Sequence, residues 1–433
     1  MRAAFFTLGC KVNQYETSVI IQLFSAAGFD IVEPDEDADV YIVNSCTVTQ
    51  TGDKKSRRIL RRFRRQNPTA IICLCGCFPQ AFPDDAAAIP EADIIMGQRN
   101  RAGLLAAVQR RMAVNERIID ITPHEKGEEF EKMSVPALHS HTRAFMKIQD
   151  GCERYCSYCI IPKARGAVRS KRLEDIKTEL EEMAANGHKE VVLVGINLSS
   201  YGADISLRLI DAVKLACSVK GIERVRLGSL EPELLSPEDI AEMGRLDSFC
   251  PQFHLALQSG CDKTLQSMRR HYNTAEYKRI VDNLLSSFEN PSITTDIMVG
   301  FPGETEEDHR QSMTFAKEIG FAKMHVFAYS QRPGTTAASL PNQISNSEKN
   351  RRSREMMAVA DKCRADFLAA QVGKTASVLF EQKENGLWHG YSRNYTPVAA
   401  ECEKNIAGEI LPVSLTGALN DSCTGWLETA SLI

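Results

Sequence analysis

The sequence predicts an α/β protein in three parts: a parallel α/β unit, an incomplete β/α barrel, and a small all-β unit at the end. Three observations predict this. Apolar runs of strand length alternate with helix-length amphipathic stretches as far as about residue 130; a second series of six such runs follows; and past Gly373 the pattern changes to short β-like runs. At 433 residues the chain also exceeds one usual core, so two or three domains are expected.

In the first part the strand candidates are residues 3–8, 40–43, 70–74 and 94–96, each followed by a polar or amphipathic stretch. Residues 121–142 lose the period and gather charge, proline and histidine, which reads as a linker. The second series comprises residues 145–148, 191–194, 225–227, 253–257, 293–299 and 324–327. Six strands separated by helix-length segments suggest an incomplete barrel, whose chemistry would sit at the carboxyl ends of the strands. Residues 346–370 read as one long helix, and runs such as 376–380 and 410–413 as strands of the all-β unit. The resulting division is 1–130, 131–370 and 371–433.

Apolar residues at 43% and charged residues at 25% exclude a disordered chain, and no run approaches the length of a membrane span. The first apolar run is too short before Lys11 for a signal peptide, so a cytoplasmic location without membrane contact is expected. Fourteen cysteines then read as reduced thiols, some of them metal ligands and others small buried residues. A net charge of −4 gives no global attraction to nucleic acid; an RNA site would have to be a local basic patch.

Cys152, Cys156 and Cys159 are spaced C-x3-C-x2-C on a loop that follows the first barrel strand. Three such thiolates can hold three irons of a cubane and leave the fourth iron open to a substrate or cofactor. The alternative is a zinc site completed by a distant ligand such as His188. In the first unit Cys10, Cys46 and Cys77 each lie at the end of an expected strand, and parallel strand ends converge on one crevice. They can hold a second cluster, with zinc or a buried structural set as the alternatives. Cys73, Cys75 and Cys77 would share one face of a strand; Cys77 is preferred because it follows Gly76.

The trio spacing, with Tyr158 beside the last cysteine, resembles the radical S-adenosylmethionine superfamily. That resemblance implies a [4Fe-4S] cluster whose open iron chelates S-adenosylmethionine, with reductive cleavage giving a 5′-deoxyadenosyl radical. Cofactor contacts are then expected from Tyr158 and from later strand ends: Gly195 and Asn197, Ser229 and Glu231, Gln258, and Gly300.

Two trios in this order resemble the methylthiotransferases over nearly the whole chain. The residues that carry the resemblance are Thr7-Leu8-Gly9-Cys10-Lys11-Val12-Asn13-Gln14-Tyr15-Glu16, Lys147-Ile148-Gln149-Asp150-Gly151-Cys152, and Cys159-Ile160-Ile161-Pro162 through Arg165-Gly166 and Arg169-Ser170. The resemblance implies a Rossmann-like α/β methylthiotransferase domain, a partial (β/α)6 radical-SAM barrel and a TRAM domain. It also implies two [4Fe-4S] clusters, with the sulfur to be methylated carried at Cys10, Cys46 and Cys77. An electron donor such as flavodoxin or ferredoxin, and a sulfur source, are implied as partners.

Three substrate branches come with the family: adenosine 37 of tRNA carrying isopentenyl, the same adenosine carrying threonylcarbamoyl, and an aspartate of ribosomal protein S12. The stretch from Lys11 to Glu16 is most similar to the threonylcarbamoyl branch, whose substrate is the tRNA anticodon stem-loop. Eight cations between Lys54 and Arg65, on a helix whose apolar side is Ile59, Leu60 and Phe63, can track phosphates. Residues 371–433, by contrast, hold four Lys or Arg against seven Asp or Glu. RNA binding there would use shape, a few local cations, or stacking by Trp388, Tyr391 or Tyr395. That acidic balance also suits a basic protein substrate. A non-enzyme alternative is a cluster-bearing electron carrier or RNA-binding protein.

Overall fold

The computed structural model describes residues 1–132 and 142–428. The N-terminal part consists of β1 (Arg2–Thr7), α1 (Lys11–Ala26), β2 (Asp30–Val32), β3 (Val40–Ser45), α2 (Gln50–Gln66), β4 (Ile71–Gly76), α3 (Cys77–Ala81), α4 (Pro83–Ala87), β5 (Ile94–Met96), α5 (Leu104–Val114) and β6 (Ile118–Asp120). All six strands are parallel, in the order β2-β1-β3-β4-β5-β6. β3 is buried along its whole length because helices cover both faces, which is why it reads as an unbroken apolar run. From β1 the chain goes to the edge at β2 and returns to β3 on the other side of β1. Winding reverses there, and the crevice beyond the carboxyl ends of β1 and β3 is the place where such sheets bind ligands.

The four expected strands are β1, β3, β4 and β5. β2 and β6 went unanticipated because three-residue edge strands carry no usable alternation. Residues 121–132, expected as linker, hold neither helix nor strand but are tied down at several points. Glu131 pairs with Arg101 at 2.7 Å, His124 Nε2 lies 3.1 Å from the Ala164 carbonyl, and Arg99 donates to the Pro123 carbonyl at 2.7 Å. Side chain to backbone bonds hold this stretch, and those leave no period in the sequence. Residues 133–141, the rest of the expected linker, lie outside the described residues.

The second part runs β7 (Arg143–Lys147), β8 (Gln149–Asp150), α6 (Ile161–Arg165), β9 (Arg169–Ser170), α7 (Leu173–Ala185), β10 (Glu190–Val194), α8 (Leu209–Ser218), β11 (Arg224–Leu227), β12 (Ser229–Leu230), α9 (Pro237–Met243), β13 (Gln252–Leu255), α10 (Asp262–Ser267), α11 (Thr274–Ser287), β14 (Ser292–Val299), α12 (Glu306–Ile319) and β15 (Lys323–Ala328). The long strands are β7, β10, β11, β13, β14 and β15, the six expected. They form two parallel sheets, β11-β10-β7 and β12-β13-β14-β15, joined where Val225 bridges Phe249. The result is an incomplete barrel with its helices outside.

The long helix α13 (Asn346–Ala369) leads into β16 (Thr375–Glu384), β17 (Leu387–Ser392), β18 (Pro397–Glu401), β19 (Ile410–Leu419) and β20 (Ser422–Leu427). These close into a barrel in the order β16-β17-β18-β20-β19. It docks on the larger barrel through arginines: Arg224 and Arg226 donate to the backbone carbonyls of Ser377, Tyr391, Ser392 and Arg393, and Arg143 lies over the stacked rings of Tyr391 and Tyr395. This corrects the stacking surface expected from sequence. Trp388 is a core residue of the small barrel, and the two tyrosines are spent on the interface. The aromatic this barrel does present is Trp426, 68% exposed. Among the described residues no helix is long and apolar enough to cross a membrane.

Candidate active site

Cys10, Cys46 and Cys77 follow β1, β3 and β4, so the reversal of winding brings their three strand ends together. A Cβ built on Gly9 would lie 3.2 Å from Cys46 Sγ. Gly76, at φ +102°, turns the chain out of β4 so that Cys77 opens α3 instead of continuing the strand. Cys73 and Cys75 stay within β4 and pack into the core beside Ile94 and Met96. Asn13 donates to the Leu8 and Ser45 carbonyls at 2.8 and 3.1 Å, and so ties the two strand ends that carry Cys10 and Cys46. Arg165 Nε donates to Cys77 Sγ at 3.3 Å, and Gln98 donates to the same sulfur at 3.0 Å.

Burial, and then the neighbouring Cys77 and Cys10, push the Cys46 thiol up to about 12. Burial likewise raises Cys77 against the pull of Arg165. Three gathered thiols, two of them held protonated by burial, with N–H donors already aimed at one sulfur, fit a cationic iron-sulfur cluster.

The second trio lies between α6 and the end of β8. Gly151 has φ +76°, and a Cβ there would sit 1.7 Å from the Ala167 carbonyl oxygen, so the loop closes on itself only with glycine at this position. Gly151→Ala is expected to add about 1–3 kcal/mol of backbone strain before the clash is counted. A lowered first thermal transition and loss of part of the bound iron would show it. Asn197 Nδ2 lies 3.8 Å from Cys152 Sγ, and Arg270 Nη1 donates to Cys156 Sγ at 3.3 Å. Burial and Cys156 push Cys159 up to about 12, and burial pushes Cys152 up to about 11, a donor set again resolved by a bound cluster. His188 precedes β10, whereas Asn197 follows it; the five residues of that strand, at about 3.3 Å each, separate His188 from the trio.

Between the trios lies a buried ionic network. Arg165 reaches Glu16 at 2.6 Å, Asp150 at 3.2 Å and Asn13 Oδ1 at 2.7 Å. Lys147 Nζ lies 2.8 Å from Glu16 and also pairs with Asp150, and Arg101 pairs with Glu16. Burial alone would raise the Glu16 carboxyl, but Arg101, Arg165 and Lys147 outweigh it and hold that group below its ordinary value. Asp150 is held down in the same way by Lys147, Arg165 and Arg169 against burial. Tyr15 donates to Glu179 of α7 at 3.0 Å. The motif residues Asn13, Tyr15, Glu16, Lys147, Asp150 and Arg165 therefore form the seam between the N-terminal sheet and the barrel.

One cavity of about 540 Å³ spans that seam. Gly9, Cys10 and Lys11 line one wall, and the strand-end residues Gly195 and Ser229 line another, with His254, Asp296 and the exposed His325 completing the lining. His254 Nε2 lies 3.3 Å from Asp296, and its Nδ1 is 3.0 Å from Thr294 Oγ1.

The remaining residues expected at cofactor contacts fall as follows. Asn197 Oδ1 and Gln258 Oε1 are buried and accept no hydrogen bond among the described residues, and Gln258 is held at φ +66°. Glu231 pairs with Arg270, and Tyr158 packs edge-on against Phe301 with centroids 6.5 Å apart. The space beside Gly300 is filled by the Lys349 side chain, which a Cβ would meet at 2.4 Å; packing of α13 explains that glycine. Sequence reasoning missed Gln98, Arg101, Arg270 and the His254 group, isolated polar residues whose spacing carries no signal. It also counted eight cations on α2, of which Arg64 is bound to Asp93 at 2.6 Å and Arg57 and Arg62 lie over Phe78 and Phe63. Lys54, Lys55, Arg58, Arg61 and Arg65 remain exposed, although Arg61 also pairs with Glu91 at 3.3 Å and Lys55 lies over Phe6.

Comparison with known proteins agrees with this architecture. Residues 146–316 match the model of the radical SAM superfamily, and residues 2–97 match an uncharacterized family, UPF0004. The chain is 36% identical to the threonylcarbamoyladenosine tRNA methylthiotransferase MtaB of Bacillus subtilis, covering 96% of this chain and 94% of that one. It is 32% identical to a tRNA-2-methylthio-N(6)-dimethylallyladenosine synthase of Pelotomaculum thermopropionicum, over 97% and 96% of the two chains. The radical S-adenosylmethionine methyltransferase TsrM of Kitasatospora setae shares the fold at a TM-score of 0.58 and 12% identity, over 78% of this chain and 74% of that one. The family works with S-adenosylmethionine and [4Fe-4S] clusters, which the two cysteine trios fit, and the chain belongs to the radical S-adenosylmethionine methylthiotransferases.

Proposed function

We propose that this enzyme places a methylthio group on C2 of N6-threonylcarbamoyladenosine at position 37 of tRNA. The observation that carries the reading is the cavity lined by Cys10 of the first trio and by Gly195, Gly228 and Ser229 at the barrel's strand ends, which would seat a base beside the first cluster at the mouth of the barrel. The branch is supported by the higher identity to the relative named for threonylcarbamoyladenosine, 36% against 32%. An adenine C2 hydrogen is beyond acid-base catalysis by side chains, so bound cofactors supply the one-electron chemistry and the transferred group.

On this reading Cys10, Cys46 and Cys77 hold one cluster, and Cys152, Cys156 and Cys159 the other. Asn197 Oδ1 and Gln258 Oε1, buried acceptors lacking donors, take hydrogen bonds from S-adenosylmethionine. Arg270, fixed by Glu231, holds the Cys156 sulfur. The five exposed cations of α2 track phosphates of the anticodon stem-loop. Residues 1–130 supply the first trio, 131–370 the radical chemistry, and the unit from 371, which the structure describes to residue 428, closes the cavity through Tyr395. An electron donor such as flavodoxin or ferredoxin and a sulfur source complete turnover in the cytoplasm.

The test is anaerobic incubation of reconstituted enzyme with anticodon stem-loops bearing threonylcarbamoyladenosine, isopentenyladenosine or plain adenosine, and with ribosomal protein S12, followed by mass spectrometry. Methylthiolation of the threonylcarbamoyl RNA is expected. Preference for the isopentenyl RNA or for S12 would reassign the substrate.

A further inference from the structure

The wall of the cavity beside Cys10 carries a cation, Lys11, without a hydrogen-bond or ion-pair partner among the described residues. Lys11 is the first residue of α1 and is exposed to the cavity. Its Nζ lies 5.9 Å from the centroid of the Phe145 ring. The other charged side chains around the cavity have contacts of their own, the Asp296 carboxylate facing the imidazoles of His254 and His325. Arg226 is bound to Glu190 at 2.7 Å and to two carbonyls of the small barrel, Lys323 reaches Asp421 at 3.4 Å, and Asp296 faces His254 at 3.3 Å. The first turn of α1 contains no acidic residue, so the helix N-terminus adds uncompensated positive potential on the same side. An unpaired lysine beside a helix N-terminus favours an anion, and an arriving carboxylate forms a charge-assisted hydrogen bond with it.

We infer that Lys11 is a specificity-determining residue that binds the carboxylate of the threonylcarbamoyl group, so that the cavity selects a carboxylate-bearing adenosine over one carrying a neutral hydrocarbon. The inference rests on the threonylcarbamoyl reading. Isopentenyl offers no atom that could pair with Lys11 and would leave the charge unmatched. A charge-assisted hydrogen bond corresponds to roughly 10- to 100-fold in affinity.

The experiment compares binding of three anticodon stem-loops to the anaerobically reconstituted holoenzyme: one with threonylcarbamoyladenosine, one with its carboxyl methyl ester, and one with isopentenyladenosine. Wild type is expected to bind the free acid roughly 10- to 100-fold more tightly than the ester. Lys11→Met should collapse that gap while keeping the full iron content, and Lys11→Arg should restore much of it. Equal binding of acid and ester by wild type would overturn the inference whatever the variants do. So would a gap that survives Lys11→Met, or loss of iron in Lys11→Met, which would place Lys11 in support of the cluster. If wild type prefers the isopentenyl RNA, the threonylcarbamoyl reading itself falls.

Discussion

Cys156→Ala is expected to lower the iron of anaerobically reconstituted protein from about eight to about four per chain, and to reduce S-adenosylmethionine cleavage to background. Two cysteines cannot retain the second cluster once the third ligand is gone, and Arg270 would be left pointing at an alanine. The first trio is ligated separately from other strand ends, so its four irons should stay. Cys46→Ala should produce the complementary protein, with about four irons but with reductive cleavage of S-adenosylmethionine intact and methylthio transfer lost. Iron analysis together with detection of 5′-deoxyadenosine separates the two. If either variant kept about eight irons, the corresponding ligand assignment would be wrong.

Arg165→Met is expected to have the largest effect of any substitution away from the cysteines. This side chain is fully buried and spends its guanidinium on Glu16, Asp150, Asn13 and Cys77 together. Removing it leaves two buried carboxylates short of a partner, a change that costs roughly 3–5 kcal/mol. For a cooperative unit of roughly 150–250 residues, the size of the barrel, the first thermal transition should fall by roughly 6–20 °C. Arg165→Lys should rescue little, because one ammonium cannot reproduce a fork that reaches four groups. A shift under about 2 °C would show that the seam contributes little.

The pH dependence has a definite sign. Glu16 and Asp150 have folded pKa values below their ordinary ones, so their contribution is present above the ordinary carboxylate range and is lost as pH falls through the folded values. The gap between wild type and Arg165→Met should therefore narrow on going below about pH 4.

The long strands, and the placement of each cysteine trio on one loop or at converging strand ends, were legible because they rest on local patterns: unbroken apolar runs, a three-thiol loop spacing, and cysteines at strand ends. β2 and β6 were not, being too short to show a period. Whether Cys73, Cys75 or Cys77 faces the crevice was ambiguous, because period-two reasoning cannot see that Gly76 ends the strand. The motifs around Cys10 and Cys152 stood out as strings, but their physical content did not. Arg165 and Glu16 lie 149 residues apart, and only the fold shows that one neutralises the other beside Cys77. The basic run on α2 was over-read for a related reason: a sequence counts cations but cannot tell those paired with Asp93 or laid over rings from those facing solvent.

The most direct test of the central claim is nucleoside mass spectrometry of tRNA from a strain lacking this protein, with and without the gene restored. In that strain 2-methylthio-N6-threonylcarbamoyladenosine is expected to disappear and its unmethylthiolated precursor to accumulate, with wild type but not the Cys156→Ala variant restoring the product. Retention of that nucleoside with loss of 2-methylthio-isopentenyladenosine instead would contradict the claim.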